Sequence, residues 1–267
     1  MHYQMWIWSK FENVIAHFLI AMMEELIILY YVLFYMFLLM YYHHNDIISY
    51  KEVAYMGKIK LLHGSDHIIE KPDFLLGKTN NDYGRGFYCT QELSMAMEWA
   101  CKKNSDGFVN KYVLEQDSLN ILNLLDGKYN ILHWMALLLK NRTFRLSNEI
   151  AIDARDYIIE NFSIDLKAYD VIIGYRADDS YFSFAESFVQ NGLPLRSLNE
   201  ALHLGKLGTQ TVLISEKAFR KLTFDGAGFA DKTVYYPKFI ARDSNARETY
   251  RKEIRNRHSY KNDIFVL

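Results

Sequence analysis

Two short segments carry polar or aromatic side chains where an ordinary buried strand would be apolar. His63 ends the apolar part of LLHGSD (61–66), and Tyr88 follows two glycines in YGRGFYCT (83–90). An imidazole forms hydrogen bonds and titrates near neutral pH, and a tyrosine ring offers a face for stacking. Each residue alone also has a structural interpretation, because strand-end histidines and core aromatics are common. Their order along the chain is therefore the informative feature.

The elements expected to position these residues are two strands and a helix. KIKLLHG and GFYCT have the apolar character of short strands, and the second is entered through Gly84 and Gly86. Residues 91–103 have the apolar spacing of an amphipathic helix, and this helix would carry Ser94 and Trp99.

Strands and helices are mixed without strict alternation in the rest of the chain. Further strands are predicted at 108–116, in YDVIIGY and at 208–215, and Ser147 is the expected N-cap of a helix in SNEIAIDARDYIIENF. The segment NARETYRKEIRNRH predicts a charged C-terminal helix. Since no dinucleotide-binding glycine motif or phosphate-binding loop is present, we expect an α+β domain with a mainly antiparallel sheet rather than a doubly wound fold.

The ordered set of motifs resembles the ADP-ribosyltransferases, in the branch of poly(ADP-ribose) polymerases and diphtheria-like toxins. The resemblance rests on HGS at 63–65, GRGFY at 84–88, the helix that carries Ser94 and Trp99, and LGTQTVLIS. It covers about 60–224 and implies a split antiparallel sheet with flanking helices. The stretch YDVIIGYRADDSYFSF is also similar to an uncharacterised bacterial family that is often encoded in toxin-antitoxin-like pairs.

By this resemblance the substrate is NAD, and no metal is needed. Cleavage of the nicotinamide–ribose bond passes through an oxocarbenium-like state, which requires a held ring and stabilised positive charge. The resemblance implies that Tyr88 stacks on the nicotinamide and that Trp99 closes the other side of the pocket. It also implies that His63 bonds the adenosine-side ribose.

Five further positions are assigned to NAD binding by the same resemblance. The backbone of Gly64 would hold the carboxamide, and Ser94 could add a side-chain hydrogen bond to it. Ser65 completes the HGS motif. Gly84 and Gly86 would let the strand approach the dinucleotide without an obstructing Cβ.

Gln210 stands where the family usually has a glutamate. That glutamate bonds the nicotinamide-side ribose and places negative charge near the developing cation, whereas an amide keeps only the hydrogen bond. Losing such a charge can cost on the order of 10²–10³ in rate. The alternatives are a slow mono-ADP-ribosyltransferase that uses Gln210, a substitute carboxylate, or NAD binding without turnover.

The candidate substitutes are Glu200, Asp178 and Asp179. For the two aspartates, helix capping ahead of YFSFAESF is the favoured interpretation. Arg176 could contact a pyrophosphate, although loop arginines are more commonly solvated.

A protein is the expected acceptor of ADP-ribose, and nucleic acid is the alternative. The formal net charge of -1 gives no global attraction to nucleic acid. The predicted C-terminal helix is nevertheless basic, through Arg247, Arg251, Lys252, Arg255 and Arg257. A solvated helix face is the favoured interpretation. An antitoxin is the partner that the resemblance implies.

The two cysteines, Cys89 and Cys101, lack metal-ligand spacing and do not indicate a disulfide framework. A reducing, cytoplasmic setting is therefore expected. Cysteine hydrolase chemistry is disfavoured because Cys89 should point away from the face that carries Tyr88.

Residues 1–55 form a hydrophobic extension ahead of the domain expected at 57–267. The uncharged segment 26–42 is near the lower length limit for a membrane-spanning helix. A membrane anchor, a buried helical appendage and an upstream extension before Met56 all remain open.

Overall fold

The computed structural model describes residues 34, 36, 57–177, 179–204 and 208–255. The chain divides into two units, Met1–Met56 and Gly57–Leu267, and all elements below belong to the second. The predicted extension at 1–55, including nearly all of the apolar segment 26–42, lies outside the described residues. No helix within the described ranges is long and apolar enough to cross a membrane.

The first sheet has three antiparallel strands in the order β1-β3-β7. They are β1 (Lys58–Ser65), β3 (Gly107–Glu115) and β7 (Leu222–Ala230). β1 and β3 are the predicted strands with nearly the predicted bounds. β7 pairs with β3 and forms one edge of this sheet.

The second sheet has four strands in the order β2-β6-β5-β4. They are β2 (Phe87–Cys89), β4 (Ile121–Asn123), β5 (Val171–Tyr175) and β6 (Thr209–Leu213). Only the β4–β5 pair is parallel among the described strand pairs. The two sheets meet at an isolated antiparallel bridge between Leu62 and Thr90. The predicted α+β class with mainly antiparallel pairing is confirmed.

Seven α-helices and one 3₁₀ turn at Leu166–Ala168 accompany the sheets in the described residues. The helices are α1 (Leu93–Ala100), α2 (Ile131–Asn141), α3 (Glu149–Phe162), α4 (Asp179–Val189), α5 (Leu195–Leu204), α6 (Glu216–Arg220) and α7 (Lys232–Arg255).

Two predicted helix starts differ from the structure. The N-cap of α3 is Asn148 rather than Ser147, and its side chain accepts a hydrogen bond from the Ala151 N–H. α7 begins at Lys232, well before the predicted segment at 245–258. Asp231 explains the earlier start because its carboxylate accepts from the Thr233 N–H and so caps the first turn.

The largest core packs helices α2 to α5 against the second sheet. Trp134, Leu138, Ile172 and Phe184 are among its buried side chains. A smaller apolar cluster joins the two sheets, with Leu61, Cys89, Tyr112, Val171 and Leu213 among its members. Burial of apolar surface on both sides of the second sheet holds the ends of β2, β5 and β6 in place.

Helix α1 lies directly on the first sheet because two strand positions lack side chains. A Cβ at Gly64 would lie 2.1 Å from the Ala96 carbonyl oxygen, and a Cβ at Gly107 would lie 2.1 Å from the Ala100 carbonyl oxygen. Neither distance is compatible with a real side chain. The two glycines therefore set how closely α1 approaches β1 and β3.

Candidate functional site

A cleft of about 1240 Å³ opens where the two sheets, α1 and α7 come together. Five predicted site residues line it, and Arg176 does so as well. The five are His63, Gly86, Tyr88, Trp99 and Gln210. This volume exceeds the roughly 300–1,000 Å³ that is usual for small-molecule sites, so the cleft is large enough for an extended ligand.

The other predicted site residues do not line the cleft. Ser94 is exposed on the first turn of α1, and Gly64 lies beneath α1. Gly84 occupies a turn with a φ of +75°, a conformation that favours glycine. Ser65 donates to the His67 carbonyl and accepts from the side chain of Asn110. These positions shape the surroundings of the cleft.

His63 is held by one ring nitrogen. Its Nδ1 lies 2.7 Å from the Tyr88 carbonyl oxygen, and its ring centroid lies 4.5 Å from that of Phe87. Burial lowers the pKa of His63 from its ordinary value of 6.5, so the imidazole is neutral at pH 7. Because a carbonyl can only accept, Nδ1 carries the proton. Nε2 is therefore a hydrogen-bond acceptor.

The hydroxyl of Tyr88 both donates and accepts a hydrogen bond within the protein. It donates to the Gly84 carbonyl at 2.7 Å and accepts from the Tyr83 N–H at 3.0 Å. Burial raises the pKa of this phenol above its ordinary value, so it stays neutral. What Tyr88 can offer a ligand is its aromatic ring.

Gln210 lies on β6 opposite Gly174 and is only 3% exposed. Its Nε2 donates to Asp82 Oδ2 at 3.0 Å and to the Tyr175 carbonyl at 3.1 Å. Asp82 also accepts from Arg142 Nη1 through Oδ1 and from the Ala177 N–H through Oδ2, both at 2.9 Å. Burial raises the pKa of the Asp82 carboxyl, and its three donors oppose that shift.

The Tyr175 carbonyl is the second anchor of Gln210. Besides the Gln210 amide, it accepts from the Tyr83 hydroxyl at 2.7 Å and from Trp134 Nε1 at 3.2 Å. Tyr83 and Trp134 are both buried in the main core. We call the residues around Asp82, Tyr88, Arg142 and Gln210 the paired side of the cleft, since the Asp82 carboxylate, the Tyr88 hydroxyl and the Gln210 amide nitrogen have protein partners.

Helices α1 and α7 form a helical side with different properties. Glu98 pairs with Arg242 at 2.9 Å, and burial raises the pKa of Glu98 although Arg242 opposes this. The Arg176 guanidinium lies 4.9 Å from the Trp99 ring centroid. Among the described residues, Trp99 Nε1 and Arg242 Nη1 are buried and have no hydrogen-bond partner. α7 adds several lining residues, which are Tyr236, Phe239, Asp243 and Arg247.

Of the predicted substitutes for the missing glutamate, only Glu200 has a described side chain. Glu200 is an exposed residue of α5 that pairs with Arg196 at 3.6 Å, and it does not line the cleft. Asp178 lies outside the described residues, as does the side chain of Asp179. The buried carboxylates that do line it, Asp82 and Glu98, were missed.

One weak signal could have identified Asp82. It precedes by two residues the glycine of the turn that leads into the Tyr88 strand, a position from which a side chain can reach the strand end. Arg142, at the end of α2, and the lining residues of α7 carry no comparable local signal.

The cysteines have no site of their own. Cys89 is completely buried in the cluster between the sheets, and burial raises the pKa of its thiol. Cys101 lines the cleft, but its Sγ donates to the Ala230 carbonyl at 3.4 Å, and burial raises its pKa as well. Across the described ranges, no group of His, Cys, Asp and Glu side chains could hold a metal ion.

The basic residues of α7 are partly neutralised within the helix. Arg247 pairs with Asp243 at 2.8 Å, and Lys252 pairs with Glu248 at 2.9 Å. Arg251 and Arg255 are exposed, whereas Arg257 lies outside the described residues. Such pairs are typical of a solvated helix face.

Residues 59–224 match the family described as "Protein of unknown function (DUF3990)". The chain belongs to this family. No curated protein and no solved structure matches the chain. The matched region includes the paired side of the cleft, whereas α7, which completes the helical side, follows it.

Proposed function

We propose that this protein is an NAD-dependent mono-ADP-ribosyltransferase that acts as a bacterial toxin or effector. The observation that carries the proposal is the convergence of His63, Tyr88, Trp99 and Gln210 on one cleft. These residues are the ones that the resemblance assigns to NAD. Two mainly antiparallel sheets that meet at one bridge are compatible with an ADP-ribosyltransferase-like split sheet.

In the proposed reaction, the nicotinamide leaves with the electron pair of its bond to ribose C1′. An acceptor nucleophile then attacks C1′ and loses its proton. The Tyr88 ring would stack on the nicotinamide, and Nε2 of neutral His63 would accept from a ribose hydroxyl of the adenosine half. Gln210 would accept from a hydroxyl of the reacting ribose through Oε1.

A protein side chain is the favoured acceptor. The exposed cations of α7 would be the main contact with a nucleic acid, but this helix also carries acids that pair with its cations. Binding that depends on phosphate contacts weakens steeply with salt. ADP-ribosylation of a protein acceptor should therefore persist at high salt, whereas modification of RNA or DNA should decline sharply.

A catalytically weak NAD-binding module is the second candidate. The neutral Gln210 amide at the position of the usual glutamate favours it, because the positive charge of the transition state would lack an adjacent carboxylate. Binding of NAD without release of nicotinamide would identify this function.

The decisive experiment measures nicotinamide release from NAD by the full chain, with a bacterial lysate as the source of acceptors. Release should fall at least tenfold in His63→Ala and in Tyr88→Ala. Tyr157→Ala is a suitable control because Tyr157 is exposed on α3 and does not line the cleft. A wild-type chain that binds no NAD would rule out both candidate functions.

A toxin should also harm the host that expresses it. We expect the wild-type chain to slow bacterial growth and Tyr88→Ala to relieve the effect, as would co-expression of an antitoxin partner. Equal harm from both chains would instead implicate a membrane contact through residues 26–42. A cytoplasmic site of action is part of the proposal, since both cysteines are free thiols.

A further inference from the structure

Asp82 is a buried carboxylate that the resemblance does not assign to any role. It lines the cleft, is 6% exposed and contacts Gln210 directly. Both of its oxygens accept hydrogen bonds from N–H groups, which is the arrangement of an ionised carboxylate. Such a group is costly to bury, so its contact with Gln210 calls for a functional explanation.

The contacts of Gln210 fix which end of its amide is available to a ligand. Both partners of Nε2, the Asp82 carboxylate and the Tyr175 carbonyl, are acceptors. Because an oxygen at that position would face two other oxygens, the –NH₂ group must point toward them. Oε1 is then the atom that Gln210 can present to a ribose hydroxyl in the cleft.

Asp82 also supplies charge close to this amide. Its Oδ2 lies one hydrogen bond, 3.0 Å, from Gln210 Nε2, while Arg142 approaches the other oxygen, Oδ1. The carboxylate polarises the amide and makes Oε1 a stronger acceptor. The family's glutamate would place its negative charge directly beside the reacting ribose. In this chain the charge is on Asp82, and the Gln210 amide lies between it and the ribose.

We propose that Asp82 is the positioning residue of this site, holding the Gln210 amide with Oε1 toward the nicotinamide-side ribose and polarising it. This inference rests on the proposed ADP-ribosyltransferase function. It adds that acid and amide act as a pair, in which Asp82 contributes the charge and Gln210 contributes the contact.

The test exchanges the acid and the amide between the two positions in the full chain. The variants are Asp82→Asn, Gln210→Glu and the double variant, and each keeps the side-chain length nearly unchanged. Nicotinamide release gives kcat and KM for NAD, and thermal unfolding reports on folding. A double-mutant cycle then separates coupling from independent effects.

Asp82→Asn should lower kcat by about 10²-fold while KM changes little. Its new –NH₂ group would face N–H donors, so Gln210 would be driven to turn its oxygen away from the cleft. In the double variant the new amide can donate to the new carboxylate. We expect the double variant to regain at least tenfold in kcat over Asp82→Asn.

Gln210→Glu alone gives a second, independent readout. It places two carboxylates about one hydrogen bond apart, so one of them must take up a proton at a raised pKa. We therefore expect its pH–rate profile to gain a titration that the wild type and the double variant lack. This readout stands even if Asp82→Asn does not fold.

Three results would overturn the inference. An active wild type with unchanged kcat in folded Asp82→Asn would remove the role of Asp82 but leave the proposed function. The absence of both rescue and a new titration would show that the two positions do not act as a pair. A wild type that releases no nicotinamide would overturn the proposed function, and this inference with it.

Discussion

The paired and helical sides of the cleft differ in how completely their polar atoms are satisfied. On the paired side, Asp82 has three donors and the Tyr175 carbonyl also has three. On the helical side, Trp99 Nε1 and Arg242 Nη1 are buried and find no partner in the part of the chain that the structure describes. Each unsatisfied buried donor lowers the free energy of unfolding by about 1–3 kcal/mol. The helical side therefore carries a cost in stability that the paired donors of the other side do not.

This difference indicates which side of the cleft is suited to stabilising a transition state and which is suited to adjusting to a bound molecule. A network in which the Asp82 carboxylate and the Gln210 amide nitrogen already have partners keeps its geometry without a ligand, which is the property required of groups that stabilise a transition state. The helical side still has donors that a bound molecule or a shift of α7 could satisfy. Under the proposed function, we therefore expect the nicotinamide–ribose bond to be cleaved at the paired side, with Trp99 closing the nicotinamide pocket from the helical side.

The largest effect should come from removing the centre of the paired side. Asp82→Ala would leave the Arg142 cation and the Gln210 amide buried without their acceptor, so we expect a loss of about 3–5 kcal/mol in the free energy of unfolding. Urea denaturation measures this loss. Asp73→Ala is the matched control, because Asp73 is an exposed aspartate at the same cleft and should lose less than about 1 kcal/mol. Equal losses would contradict the role of Asp82 as the centre of the paired side.

Removing one donor from the Tyr175 carbonyl should have a moderate effect. Tyr83→Phe deletes a hydroxyl that donates at 2.7 Å and keeps the buried ring. Since the carbonyl retains two other donors, we expect a loss of about 1 kcal/mol in the free energy of unfolding. Thermal or urea unfolding would detect it. No loss at all would mean that the network has redundant donors.

The pH dependence of the free energy of unfolding tests the environment of His63, which lies beside the paired side. Burial lowers its pKa in the folded state, so below the ordinary value of 6.5 the unfolded chain takes up a proton that the folded chain does not. The contribution of His63 to stability is present above pH 6.5 and is lost as the pH falls. Between pH 7 and pH 6 this loss is at most about 0.7 kcal/mol.

The comparison that isolates this contribution is His63→Asn, whose amide can still donate to the Tyr88 carbonyl. It should show a flatter dependence of unfolding free energy on pH than the wild type. Leu75→Ala is the control, since Leu75 is an exposed residue without a titratable group, and it should retain the wild-type slope. A steeper slope in His63→Asn would contradict the assigned direction.

The smallest effect is expected on the helical side. Trp99→Phe keeps an aromatic ring beneath Arg176 and removes the indole N–H that has no partner. Removing the unsatisfied donor is stabilising and the smaller ring loses some packing, so these two effects offset and the free energy of unfolding should change by less than about 0.5 kcal/mol. A loss as large as that of Tyr83→Phe would show that the indole is bonded in solution and would narrow the difference between the sides.

Local patterns predicted most of the elements but few of the contacts. Apolar periodicity indicated β1, β2, β3 and α1 because those elements bury one face or one short run against the core. The Asp82–Gln210 contact joins residues 128 positions apart, and no local pattern encodes such a pair. Ser94 shows the opposite failure, since its spacing fitted the expected motif but its side chain is exposed.

The start of α7 was missed for a different physical reason. Pro237 lies inside this helix, and proline normally argues against a helix interior because it lacks an N–H and crowds the preceding turn. Packing of α7 against α1, with the buried Glu98–Arg242 pair, outweighs that local cost. Tertiary contacts of this kind cannot be deduced from the helix sequence alone.

The close approach of α1 to the first sheet also has a consequence for how this sequence can evolve. Gly64 and Gly107 do not line the cleft, yet any larger residue at either position would push α1 outward and carry Trp99 and Glu98 with it. In a saturation library, both positions should tolerate almost no replacement. The intolerance of these two glycines, which lie outside the cleft, would report on its shape as directly as that of the residues that line it.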